Sequence, residues 1–125
     1  QNVILSAVEQ TSTNTGLILC LAVNYGGRRE ITLAARAYAQ DVLAHKADLT
    51  IDEDEFGKYM MSADMPDVDL MIRTSGELRL SNFMLWQLAY SEFYFTDVLW
   101  PDFDKKELQK AIDYYNARDR RFGGV

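Results

Sequence analysis

Apolar and polar positions change period several times along the 125 residues, and each change marks the edge of an expected element. From Asn2 to Thr13, the positions Ile4, Ala7, Val8 and Thr11 recur at helical spacing until "NTG" (14–16) breaks it, which predicts a short amphipathic helix ending near Gly16. The run "GLILCLAVNYGG" (16–27) is apolar at odd and even positions alike and closes on two glycines. That is the pattern of a strand covered on both faces in a parallel sheet, so a strand is expected over Leu17 to Val23. From Arg28 to about Ala44, Ile31, Ala34, Ala35, Tyr38 and Val42 form one stripe at the helical period, and this helix is expected to pack on that strand.

Further along, Asp52 stands three residues before Glu55, the capping-box pattern of a short helix, and the acids around it read as a cap and a solvated face before a metal site. "VDLMIR" (68–73) predicts a second strand, "NFMLWQLAY" (82–90) a mostly buried helix, and "FYF" (93–95) a third strand. Asp104 and Glu107 repeat the capping pattern ahead of the stripe Leu108, Ala111, Ile112 and Tyr115, which predicts a last helix to about Asp119 before "RRFGG" leaves the fold. Strands alternating with helices, without hairpin dipeptides such as Asn-Gly, predict an α/β protein with a mainly parallel sheet flanked by helices. A single domain over residues 1–125 is expected, because this length supports one core but not two.

Composition narrows the chemistry. Apolar residues at 48% and charged residues at 26% belong to a globular chain rather than a disordered one. A net charge of −6 repels polyanions, so nucleic acid is not expected as a partner. Cys20 is the only cysteine and lies within the apolar run, which excludes an internal disulfide and a cysteine-rich zinc site, and predicts a core position in a reducing compartment. His45 is the only histidine and falls near a predicted helix end, a poor place for a catalytic triad. No apolar run reaches the roughly 18 to 20 residues of a membrane-spanning helix. The chain begins at Gln1 rather than Met, and a place within a longer protein is expected.

The informative stretch is "DLMIRTSGELRLSNF" (69–83). In a parallel sheet, ligands bind beyond the carboxyl ends of the strands, and Arg73 is expected at such an end. Thr74 and Ser75 add hydroxyls, Gly76 a flexible backbone and Arg79 a second cation, while Ser81 or Asn82 is expected to open the next helix with its free N–H groups. Two guanidiniums, a hydroxyl and a helix N-terminus would hold a phosphate. The plainer reading is a surface loop whose arginines pair with Glu77 and neighbouring acids.

Glu92 puts a carboxylate where a buried segment is expected, so it needs a cation or hydrogen-bond donors. A satisfied structural glutamate and a Mg²⁺ ligand are equally compatible with that position. Eight aromatic residues fall between Phe83 and Phe103, to be read first as core and second as a subunit interface. The closing "RDRRFGGV" is either a fraying end or an arginine and backbone N–H presented to a phosphate.

"NYGGRREI", "IRTSGELRLSNFMLWQLAYSEFYFTDVLWPDF" and "RRFGG" closely resemble the cis-prenyltransferases of the undecaprenyl diphosphate synthase type, from about Thr15 onward. The resemblance implies an α/β sheet wrapped by helices and a Mg²⁺-dependent homodimer. It implies a transferase that adds isopentenyl diphosphate units with cis geometry to farnesyl diphosphate, giving undecaprenyl diphosphate, the precursor of the peptidoglycan lipid carrier. A cytoplasmic enzyme, or one peripheral at the inner face of the membrane with transient membrane-surface association for product release, would follow. By the same resemblance Arg73, Arg79, Leu80 and Ser81 would hold the diphosphate of isopentenyl diphosphate, and Glu92 would contact Mg²⁺ across the dimer interface. Arg121 and Gly123 would belong to a tail reaching the partner's site. The family's His-Gly-Asn-Gly-Arg-type loop, with its Mg²⁺-binding aspartate, and the Asn-Trp segment after it have no match here. The chain therefore looks like the carboxyl-terminal half of such a synthase, without the farnesyl site or the family's catalytic aspartate and inactive by itself. The alternative is a non-catalytic family-like subunit that supports a catalytic partner.

Overall fold

The computed structural model describes residues 2–118. In chain order these form α1 (Asn2–Thr11), α2 (Gly27–Leu43), α3 (Glu53–Gly57), β1 (Leu70–Arg73), β2 (Glu92–Phe95), a 3-10 turn (Trp100–Asp102) and α4 (Lys105–Asn116). Both expected aspartate caps are made. Asp52 Oδ1 accepts from the Glu55 N–H at 2.8 Å, and Asp104 Oδ1 accepts from the Lys106 and Glu107 N–H groups at 2.8 and 3.1 Å. Each satisfies backbone donors that a helix start would otherwise leave orphaned.

β1 and β2 pair in parallel, with Leu70 opposite Glu92 and Arg73 opposite Phe95. The ladder continues one bond beyond each end, from Glu92 N to the Asp69 carbonyl at 2.9 Å and from Thr96 N to the Arg73 carbonyl at 3.0 Å. This small parallel sheet with helices is the expected α/β class, present in part. The buried core is Ala34 of α2, Met60 just after α3, Met71 of β1, Leu88 in the turns before β2 and Ala111 of α4, while α1 and the run after it contribute none. α4 packs on β2, and α2 packs with α3.

Two expected elements are absent. Leu17 to Val23 forms no strand, and Leu17, Ile18 and Leu19 are 94%, 88% and 76% exposed. A strand exists only as a member of a ladder, and among the described residues β1 and β2 pair only with each other. Cys20 is accordingly exposed rather than in the core, and α2 has no strand there to pack on. The stretch 82–90 is a series of turns rather than a helix, because Asn82 and Met84 take left-handed φ values of 64° and 44° that a right-handed helix cannot contain. α1 also stops at Thr11, where the Thr11 and Ser12 hydroxyls turn back onto the carbonyls of Ala7 and Glu9.

Candidate functional site

Arg73 is the last residue of β1, so its side chain leaves the sheet at the carboxyl end of the strands. The loop beyond it is pinned to the segment that follows β2. Ser75 N donates to the Val98 carbonyl at 2.9 Å and Gly76 N to the Thr96 carbonyl at 3.0 Å. Ser75 and Gly76 both sit at positive φ, 68° and 69°, which reverses the chain within two residues. Arg73 Nη1 donates to the Arg79 carbonyl, tying the two ends of the loop together, while Arg79 Nη1 pairs with Glu77 Oε2. Two guanidinium groups therefore belong to one loop, and the Arg79 side chain is 65% exposed.

No helix begins directly after Ser81 among the described residues, so no free helix N–H groups stand beside the two guanidiniums. Asn82 serves a different helix. Its carbonyl accepts from Gly27 N at 2.7 Å and its Oδ1 from Arg28 N at 2.8 Å, which caps α2 from 54 residues away. The two glycines of "NYGGRRE" permit this approach. A Cβ on Gly26 would lie 2.8 Å from Asn82 Nδ2, and one on Gly27 would lie 2.9 Å from Leu85 Cγ and 3.0 Å from Leu85 N.

Behind this junction is a polar cluster whose members no sequence motif joins. Glu30 is 1% exposed, and its carboxylate accepts from the Tyr25 hydroxyl, from Met61 N at 2.9 Å and from Gln87 Nε2 at 3.0 and 3.1 Å. Gln87 Nε2 also reaches Ser62 Oγ at 2.7 Å, and its Oε1 is buried with no partner. Burial first, and then the hydrogen bond and charge of Glu30, push the Tyr25 phenol up to about 12. The available signal was a glutamate four residues before Ala34, on the side of α2 that it shares with Gly27.

The chain matches the family described as "Putative undecaprenyl diphosphate synthase" over residues 1–123. It belongs to that family. An isoprenyl transferase of Streptococcus pyogenes serotype M1 is 61% identical over 96% of this chain and 50% of that protein. One from Clostridium perfringens is 54% identical over 98% and 49%. Among solved structures, lavandulyl diphosphate synthase from Lavandula x intermedia, crystallised with dimethylallyl diphosphate, superposes with a TM-score of 0.93 at 42% identity, covering 99% of this chain and 54% of that one. The chain spans about half the length of the curated relatives it matches.

Of the positions that the family resemblance singles out, Arg73 and Arg79 share one loop, Leu80 is half-buried beside them and Ser81 is exposed. Arg121 and Gly123 lie outside the described residues. Glu92 is elsewhere. It starts β2, at the opposite end of the ladder from Arg73, and three strand residues separate those ends by about 10 Å. Its side chain is 21% exposed and its Oε2 accepts from Arg118 Nε at 3.1 Å, so the carboxylate is neither buried nor lacking a donor. No group of three or more potential ligand side chains gathers among the described residues. A single hard carboxylate oxygen does fit Mg²⁺, which keeps most of its waters and takes one or two protein carboxylates besides substrate phosphates. Glu92 can supply one such contact. The aromatic segment is divided: Phe93, Tyr94 and Phe95 are half-buried, while Tyr90 and Trp100 are exposed, against the reading of the whole cluster as core. No helix among the described residues is long and apolar enough to cross a membrane.

Proposed function

We propose that this chain is the part of a cis-prenyltransferase that holds isopentenyl diphosphate, in an enzyme that condenses such units onto farnesyl diphosphate to give undecaprenyl diphosphate. The observation that carries the reading is the loop at the carboxyl end of β1, where Arg73 is bonded to the backbone of Arg79 and the Arg79 guanidinium stands open to solvent. Its partner Glu77 is 37% exposed, and an exposed pair of this kind contributes at most about 1 kcal/mol. A diphosphate, with more charge and two-pronged geometry, displaces Glu77 and takes the guanidinium. Arg73, Arg79 and Ser81 form that contact together with the backbone at Leu80. Glu92, at the other end of the ladder from that loop, would offer one oxygen to Mg²⁺ at a site shared across the homodimer, where the ion would supply charge neutralisation for a diphosphate. The homodimer uses the exposed Tyr90 and Trp100, and Arg121 and Gly123 extend toward the partner's site. The enzyme is cytoplasmic and meets the membrane surface only to release product. The half with the aspartate loop and the farnesyl site comes from outside this chain.

The test is Arg79→Ala in the family-length enzyme, with initial rates measured against isopentenyl diphosphate at saturating farnesyl diphosphate. The Michaelis constant for isopentenyl diphosphate rises at least tenfold, as expected for loss of a charge-assisted contact of about 1.5 to 3 kcal/mol. An unchanged constant would show that this loop does not hold that substrate.

A further inference from the structure

Arg79, Leu80 and Ser81 are clamped between two anchors. On one side the Arg79 carbonyl accepts from Arg73 Nη1 at the end of β1. On the other, Asn82 is bound to the start of α2 twice, its carbonyl by Gly27 N at 2.7 Å and its Oδ1 by Arg28 N at 2.8 Å. Between the anchors the chain takes a conformation that its sequence does not favour. Phe83 N donates to the Leu80 carbonyl at 3.0 Å, closing a four-residue turn whose central residues, Ser81 and Asn82, have φ values of 49° and 64°. Positive φ at both centres is the type I′ pattern, which suits glycine, asparagine and aspartate. Asn82 fits it and Ser81 does not, because left-handed backbone brings a Cβ too close to the following carbonyl. A residue in such a conformation persists only where its surroundings over-determine it. For Ser81 those surroundings include α2, since the neighbouring Asn82 offers the helix both its carbonyl and its side-chain oxygen. Gly26 makes room for the Asn82 amide. Its φ of −159° is extended, yet an added Cβ would stand 2.8 Å from Asn82 Nδ2.

We infer that Asn82 is a positioning residue for isopentenyl diphosphate, holding Ser81 in a disfavoured backbone conformation so that its hydroxyl and the Arg79 guanidinium serve the same diphosphate. This role rests on the reading of the arginine loop as the site of that substrate. Asn82 acts without touching the ligand. When its bonds to α2 are lost, the 80–83 turn relaxes and Ser81 returns to the ordinary right-handed or extended regions. Only a fraction of the molecules then presents the site in its binding form. Apparent affinity falls by that fraction, whereas a molecule that has bound its substrate reacts as before, so the effect falls on KM. A plain helix cap behaves differently. Loosening α2 lowers the amount of folded enzyme, which reduces kcat per total protein and leaves KM unchanged.

The experiment measures initial rates of the family-length enzyme against isopentenyl diphosphate at saturating farnesyl diphosphate, with thermal midpoints to follow folding and Arg79→Ala as the control. Three variants separate the contributions. Asn82→Ala removes the side-chain anchor and disfavours the turn. Asn82→Gly removes the anchor but leaves the turn free to form. Gly26→Ala displaces the Asn82 amide from the α2 side while the loop keeps its own sequence. KM is expected to rise about five- to twentyfold in Asn82→Ala, the range for loss of a helix-cap contact, and about two- to fivefold in the other two, with kcat within about twofold throughout. If Arg79→Ala raises KM while Asn82→Ala and Gly26→Ala change only kcat or the thermal midpoint, Asn82 is a cap alone; the positioning role is then overturned and the substrate reading stands. A wild-type KM in Asn82→Gly beside a raised one in Asn82→Ala would also overturn it, because the turn would then form without its anchor. If Arg79→Ala leaves KM unchanged, the substrate reading falls and the role of Asn82 falls with it.

Discussion

Gln87 Nε2 donates to both carboxylate oxygens of Glu30, at 3.1 and 3.0 Å, across 57 residues of sequence. This contact joins the first turn of α2 to the turns that follow the arginine loop, and Met61 N and the Tyr25 hydroxyl complete the set. Glu30→Ala leaves the Tyr25 hydroxyl and Met61 N without this acceptor and Gln87 Nε2 with Ser62 Oγ alone, at about 1 to 3 kcal/mol for each group that water cannot reach. Relaxation recovers part of that, and the expected loss is about 2 to 4 kcal/mol in urea unfolding. Glu30→Gln keeps one oxygen and should lose less. Equal losses in the two variants would mean that packing, not hydrogen bonding, decides this position.

The Tyr25 phenol gives the same cluster a pH signature. Its folded value lies near 12 against an ordinary 10, raised by burial and then by Glu30. A group whose value is raised on folding contributes stability that is fully present below pH 10 and is lost as pH climbs through the folded value. Stability should therefore fall between pH 10 and 12 more steeply in the wild type than in Tyr25→Phe. An absorbance titration of the tyrosinates checks the assignment, since Tyr25→Phe should remove the latest ionisation, leaving the less delayed one of Tyr59, which burial and Asp41 also raise, and Glu30→Gln should move the latest ionisation to lower pH. Superimposable wild-type and Tyr25→Phe stability profiles would refute it.

Gly76 holds its loop through its backbone conformation. Its φ of +69° suits glycine, and an added Cβ would stand 3.0 Å from Asp97 Oδ1. Gly76→Ala meets the left-handed penalty of roughly 1 to 2 kcal/mol plus that contact. Because the loop is tied to Thr96 and Val98 through Gly76 N and Ser75 N, the substitution should disturb the loop before it unfolds the chain. Hydrogen exchange at those two amides should accelerate in Gly76→Ala and much less in Gly76→Asn, since asparagine tolerates left-handed backbone. Unchanged exchange would show that the turn is not what holds the loop.

How far the sequence predicts this fold depends on whether a signal is local. The caps at Asp52 and Asp104 are read correctly because a cap involves only the next three residues, and β1 and β2 because their short apolar runs pair with each other. Leu17 to Val23 has an equally clear pattern and forms no strand, because pattern describes what a strand would bury and not whether a partner is present. The stretch 82–90 is apolar enough for a helix, yet the chain uses Asn82 to cap α2 and turns there instead. At the site, the arginine loop was legible from charge and position. The Glu30 cluster was not, because its members at 25, 30, 61, 62 and 87 meet only through tertiary structure.

The glycine pair at the start of α2 allows the sharpest test of that tertiary junction. Gly27 is buried at the first position of the helix, and replacing a helical glycine with alanine ordinarily gains up to about 1 kcal/mol. Here the added Cβ would stand 2.9 Å from Leu85 Cγ and 3.0 Å from Leu85 N. The side chain can rotate away, but the backbone nitrogen can move only if the 82–85 segment moves with it. That segment is held by the bond from Gly27 N to the Asn82 carbonyl, so overpacking of about 1 to 3 kcal/mol should outweigh the helical gain. Gly27→Ala is expected to be net destabilising by about 1 to 2 kcal/mol and, if the proposed function holds, to raise the family-length enzyme's Michaelis constant for isopentenyl diphosphate more than it lowers kcat. Leu85→Ala, which removes the side-chain part of the clash but not the backbone part, should restore only some of the stability. A stabilised Gly27→Ala would mean that α2 and the arginine loop are not coupled through this contact.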